Sequence, residues 1–121
     1  MSEQVTFSRL GDAAVVHLAG EIDMANAADI GRAIVLDVTG ARAVLVDLTD
    51  VTFLDSGGVR LLDVLVGDLM DNRIPVRFVV TEGGAARKTL ELCAFRDELL
   101  ASDLNQAAAD VRSQSAYPGA P

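Results

Sequence analysis

The chain has 121 residues, half of them hydrophobic, and a formal net charge of −8. That length and composition suit one ordinary domain with a modest core and exclude disorder by composition. The acidity argues against nucleic acid and anionic lipid as partners and favours a protein with a basic patch, and a single cysteine, Cys93, excludes a disulfide framework.

In chain order, Val5 to Leu10 alternates, with Val5 and Phe7 on one side, and reads as a strand with one wet face. Gly11-Asp12 is a turn signal, and Ala13 to Ala19 is a second strand close enough to the first to form a hairpin, ended by Gly20. Asp23 is placed to cap a helix. Beyond it Ala27, Ile30, Ile34, Val35 and Val38 recur at a period near 3.6, and Gly40 closes that helix.

Ala43-Val44-Leu45-Val46 is apolar without alternation, which suits a central strand ending near Leu48. A helix is predicted from Ser56 to about Asn72, with Val59, Leu62, Leu65, Val66, Leu69 and Met70 inward and Leu61 and Val64 roughly opposite. Pro75 introduces a strand from Val76 to Val80. A helix over Ala85 to Phe95, a short strand over Leu99 to Ser102 and a helix over Leu104 to Arg112 complete the pattern.

The predicted order is ββαβαβαβα. Strands alternating with helices imply one α/β domain, with a mixed, mostly parallel sheet, over residues 1–112. The turn-rich segment 113–121 has little to bury and is expected to be a disordered tail.

The turn Asp55-Ser56-Gly57-Gly58 carries the most information. Ser56 is a good N-cap, and a helix N-terminus stabilises a phosphate placed there. Two glycines in a first helical turn cost up to about 1 kcal/mol each against alanine. Close approach by another backbone or a ligand would justify them. The plain alternative is that Ser56 is only a cap and the glycines only permit a tight turn. Leu61 and Val64, among Arg60, Asp68 and Asp71, are candidates for a docking surface near Ser56.

The stretch Val46-Asp47-Leu48-Thr49-Asp50-Val51-Thr52-Phe53-Leu54-Asp55-Ser56-Gly57-Gly58 resembles the signature of the STAS domain of bacterial anti-sigma-factor antagonists. Leu18-Ala19-Gly20-Glu21-Ile22-Asp23 resembles a second landmark of that family, and the resemblance spans about residues 5 to 112. It implies that the chain binds an anti-sigma factor that is also a serine kinase of the GHKL type, and so releases a sigma factor. It implies phosphorylation of Ser56 by that kinase, which ends binding, and reversal by a PP2C-type phosphatase. Asp23 would contribute to the kinase contact and Asp55 would position Ser56. Gly57, Gly58, Arg60, Leu61 and Val64 complete the expected partner surface. Gly57, where the family usually has serine or threonine, and Arg60, an added cation, depart from its pattern.

Two other readings are open. One is a receiver-type phospho-acceptor with Asp47, Asp50 and Asp55 around Mg²⁺. The other is a STAS domain bound constitutively in a transporter or larger complex, with Ser56 a plain cap. The sequence lacks a Ser–His–Asp set with a usable histidine, GxxxxGK and GxGxxG, so no enzyme activity and no cofactor are expected. One histidine, His17, and one cysteine make no metal-ligand set; His17 is expected to be structural and Cys93 a small buried hydrophobe. No apolar run approaches the roughly 20 residues a membrane helix needs, and no signal peptide is seen, so a soluble cytoplasmic protein is expected.

Overall fold

The computed structural model describes residues 4–115. They form strands β1 (Val5–Leu10) and β2 (Ala13–Ile22), helix α1 (Ala27–Val38), strand β3 (Ala43–Leu54), helix α2 (Ser56–Asp71), strand β4 (Val76–Val79), helix α3 (Ala85–Leu92), strand β5 (Leu100–Ala101) and helix α4 (Leu104–Ser115). The five strands make one sheet in the order β1-β2-β3-β4-β5. Only the β1–β2 hairpin is antiparallel; the other pairs are parallel. The expected α/β order and edge hairpin are therefore present.

Alternation of side chains divides the core between the two sheet faces. Val44, Val46 and Leu48 of β3 meet Ile30, Ile34 and Val38 of α1, Leu62, Leu65, Val66 and Leu69 of α2, and Leu90 of α3. On that side Phe78 and Phe95 pack edge to face, with ring centroids 5.3 Å apart. Ala43 and Leu45 point the other way, toward Ala107, Ala108 and Val111 of α4. This is why the apolar run Ala43–Val46 lacks alternation: both faces of β3 are covered.

Several expected boundaries move. β3 does not stop near Leu48 but runs to Leu54, because β2 passes through Gly20 to Ile22 and gives it a partner throughout. Gly20 holds φ +80°, and the register shifts on either side of it. A glycine accepts that left-handed bulge without a Cβ penalty.

α3 ends at Leu92, and Ala94 at φ +54° turns the chain. Leu90 and Phe95 take the burial, so Cys93 is exposed, contrary to expectation. Val35 and Met70 also face water instead of the core, and the Met70 sulfur lies 3.2 Å from an Arg96 guanidinium nitrogen. α4 continues past Arg112, so 113–115 are helical where a disordered tail was expected; 116–121 lie outside the described residues.

Candidate functional site

β2 and β3 run side by side in parallel, and their last paired residues are Ile22 and Leu54. The next residues, Asp23 and Asp55, therefore leave the sheet together at its carboxyl end. Sites in α/β sheets gather there, because the loops leaving parallel strands converge.

The sequence reading makes Ser56 the N-cap of α2; the structure gives that role to Asp55. Its backbone is extended (φ −101°, ψ −173°), and its Oδ1 accepts from Gly58 N at 3.0 Å. Ser56 is thus the first helical residue, and its side chain is exposed. No acceptor among the described residues takes the N–H groups of Ser56 and Gly57, as expected for the first turn of a helix. Asp55 also ties the two loops together: its Oδ2 accepts from Met24 N at 3.4 Å, and its own N–H donates to Ile22 O at 3.3 Å.

Asp23 caps a turn rather than α1 itself. Its Oδ1 accepts from Ala25 N at 2.9 Å and Asn26 N at 3.2 Å. Asn26 replies, its Oδ1 accepting from Asp23 N at 3.0 Å and its amide donating to Glu21 O at 2.9 Å. α1 begins one residue later, with Asn26 at its N-cap position and no side-chain cap bond. The reciprocal pair makes the loop a closed hydrogen-bonded unit.

The glycines have a specific reason. A Cβ on Gly57 would stand 2.9 Å from Met24 Cα, N and Cβ. One on Gly58 would stand 2.9 Å from Ile22 O and collide with the Leu54 side chain. The close approach expected at this turn is made by the chain's own β2–α1 loop. Bare glycines let that loop lie against the start of α2, which brings Asp23, Met24, Asp55 and Ser56 into one neighbourhood.

The expected partner residues separate by exposure. Ser56, Arg60 and Val64 are exposed, Asp23, Asp55, Gly57 and Leu61 are half-buried, and Gly58 is buried. Gly58 serves the packing and cannot offer a side surface to a partner. The Arg60 side chain makes no ion pair or hydrogen bond among the described residues. Two exposed apolar side chains near this turn are not marked by the sequence: Met24 (74% exposed), in the β2–α1 loop, and Phe53 (49% exposed), next to the last residue of β3. Phe53 lay beyond the expected end of the central strand near Leu48 and Met24 in an unpatterned loop, so periodicity could not flag either.

The other carboxylates go elsewhere. His17 bridges Asp47 (Nδ1 to Oδ2, 3.1 Å) and Asp50 (Nε2 to Oδ2, 3.0 Å), joining β2 to β3. Asp47 is buried, and burial pushes its carboxyl pKa up, but hydrogen bonds from Thr49 N–H (3.0 Å), Thr49 Oγ1 (2.7 Å) and His17 leave it below the ordinary value. Asp47, Asp50 and Asp55 do not converge, and the described residues contain no cluster of His, Cys, Asp and Glu able to hold a metal ion. No helix among them is long and apolar enough to cross a membrane.

Comparison with known proteins agrees with the fold. The crystal structure of an anti-sigma factor antagonist from Mycobacterium paratuberculosis superposes with a TM-score of 0.78 and 27% identity, over 89% of this chain and 92% of that one. The anti-sigma factor antagonist SpoIIAA in its unphosphorylated form gives a TM-score of 0.72 at 17% identity, over 92% and 96%. The Bacillus cell fate determinant SpoIIAA in its phosphorylated form gives 0.64 at 16%, over 88% and 96%. At these lower identities the likeness is one of fold. No curated protein sequence matches. The family model of the STAS domain matches residues 4–109, nearly the whole described chain, and the chain belongs to the STAS domain family.

Proposed function

We propose that this chain is an anti-sigma-factor antagonist, a cytoplasmic binding protein and not a catalyst. In this reading it binds an anti-sigma factor serine kinase of the GHKL type and frees a sigma factor. Phosphorylation of Ser56 ends the binding, and a PP2C-type phosphatase restores it. The observation that carries the reading is the exposed Ser56 hydroxyl at the first position of α2, with the Asp23 loop held against it by Asp55, Gly57 and Gly58. The 27% identical Mycobacterium antagonist and the phosphorylated form of SpoIIAA support it.

The chemistry of a switch follows from position. A phosphate on Ser56 would meet the free N–H groups and positive dipole end of α2. Arg60 follows at i+4, one turn along the same helical face, where an exposed ion pair is worth about 0.3–0.5 kcal/mol. So small a gain hardly changes the fold. The added charge and bulk stand instead on the proposed docking turn, among Asp23, Met24, Asp55 and Phe53.

The test is phosphorylation-site mapping by mass spectrometry after incubation with candidate kinases and ATP, joined to binding assays. Phosphate on Ser56, constitutive binding by Ser56→Ala and weakened binding by Ser56→Asp are expected. Equal affinity of the two variants for the kinase would sink the switch and leave Ser56 a plain helix residue in a constitutive binding module.

A further inference from the structure

α1 and α2 lie in matched direction on the sheet: Met24 faces Gly57, Gly31 touches Leu61, and Val38 and Leu69 line one hollow farther along. Gly31 sets how closely they approach, since a Cβ there would stand 2.9 Å from Leu61 Cδ1. Outside that contact the two helices leave an open groove of about 610 Å³, walled by Ala27, Gly31 and Val35 of α1 and Leu61, Val64 and Leu65 of α2. It leads into a second hollow of about 340 Å³ past Val35 and Leu65. Val35 is 46% and Val64 54% exposed, so both leave much of their apolar surface in water.

Charge is graded along this groove. At the end near Ser56 lie both helix N-termini and the unpaired Arg60 side chain, and Arg32, midway along α1, is held only by Asp29 on its own helix. Asp68 borders both hollows toward the far end, where the helix C-termini point. Among the side chains that line the groove, the cations therefore stand nearer Ser56 and the carboxylate away from it, in the same sense as the helix dipoles, while Asp23, Asp29 and Asp55 stand at the Ser56 end outside the lining.

We infer that the groove receives one amphipathic helix of a protein partner, running antiparallel to α1 and α2, with an acidic side chain in its last turn against Arg60. This rests on the reading of the chain as a protein-binding module and names the element that docks. A helix fits because the walls are side chains, with no unpaired strand edge for an extended peptide to extend. An acyl or other small ligand would lie open to water along its length, whereas small-molecule sites bury most of their ligand. A second copy of this chain would set a concave face against the same concave face. The antiparallel direction brings the negative end of the incoming dipole to the positive end of the groove. The acidic residue is a local complement to Arg60 and is compatible with basic groups elsewhere on the partner, facing the acidic remainder of this chain.

The full chain, labelled with ¹⁵N, is titrated with a synthetic helical peptide of about 14 residues, four turns at 1.5 Å per residue, with leucines at i, i+3, i+4 and i+7. One version carries glutamate in the last turn, the other lysine. Expected are saturable shifts at α1 and α2 amides and about tenfold tighter binding of the glutamate peptide. Arg60→Glu should invert that preference. Val64→Asp, at an exposed position, should weaken both peptides about tenfold with an unchanged circular dichroism spectrum.

Absence of saturable binding, or equal affinity for the two peptides, overturns the inference. So does a dimer in sedimentation velocity that Val64→Asp dissociates, which would give the groove to a second copy. Saturable binding of laurate with no response to the peptides would likewise give it to an acyl ligand. None of these measurements uses the Ser56 switch, so the two proposals fail separately. A groove silent to peptides refutes the docking helix whatever phosphate does, and unresponsive Ser56 variants refute the switch while peptide binding stands.

Discussion

Replacing Gly57 and Gly67 of α2 by alanine, one at a time, should change stability in opposite directions. Both are glycines in one helix, and alanine is intrinsically favoured over glycine in a helix interior by about 0.8–1 kcal/mol. At Gly67 nothing lies within 4 Å of the new Cβ, so that gain should appear almost undiminished. At Gly57 the new Cβ would stand 2.9 Å from three Met24 atoms, two of them backbone. Backbone cannot rotate away, so the β2–α1 loop must move, and such overpacking costs about 1–3 kcal/mol. The propensity gain is also smaller in the first turn, so Gly57→Ala should end neutral to about 2 kcal/mol less stable. Urea denaturation followed at 222 nm measures both, and the Met24 and Asp55 amide resonances report the loop. Displaced resonances and weaker partner binding are expected for Gly57→Ala alone. If Gly57→Ala stabilises the protein as much as Gly67→Ala and leaves those resonances in place, the glycine does not hold the loop against α2, and the physical account of the site is wrong.

Asp55→Ala removes a cap and the bridge to Met24 N, and should cost about 0.5–2 kcal/mol in urea denaturation, while Asp55→Asn should recover most of it. Full retention of stability in Asp55→Ala would refute the capping role. For Asp47, the folded carboxyl pKa lies below the unfolded value of about 3.9, so its contribution is present above that pH and is lost as pH falls through the folded value. The stability gap between the wild type and Asp47→Asn should therefore be largest near neutrality and shrink below about pH 4; a gap constant from neutral to acid pH would contradict it. Cys93 is exposed, so a thiol reagent should modify it in the folded protein as fast as after unfolding in urea. Protection in the native state would contradict its placement.

The periodic parts of this protein were legible without a structure. Alternation and apolar runs report which face of an element meets the core, and that local rule placed the strands, α1 and α2, because Ile30, Ile34, Val38, Leu62, Leu65, Val66 and Leu69 do face the sheet. Departures came where a neighbour decides. Val35 and Met70 fit the helical period but stand at the margin of the buried stripe, where width depends on how closely the next helix packs. Cys93 fell to water because the chain turns at Ala94, which no period announces.

At the site, residue identities marked Asp23, Asp55, Ser56 and the two glycines, yet their division of labour lay beyond reach. A cap is a matter of which residue is still extended and which carboxylate reaches Gly58 N, and Asp55 rather than Ser56 meets both conditions. The meaning of Gly57 and Gly58 depends on Met24 and Ile22, more than thirty residues away in sequence and adjacent only because β2 and β3 pair in parallel to their ends. His17 met Asp47 and Asp50 by the same pairing. The sequence by itself determined the elements, their order and the residue types gathered at one turn, since these follow from short-range preference and hydrophobic period. Register between distant strands decided the loop wedged against α2, the groove between α1 and α2 and the free Arg60 beside it, because such contacts exist only once the sheet has aligned segments that the chain keeps apart.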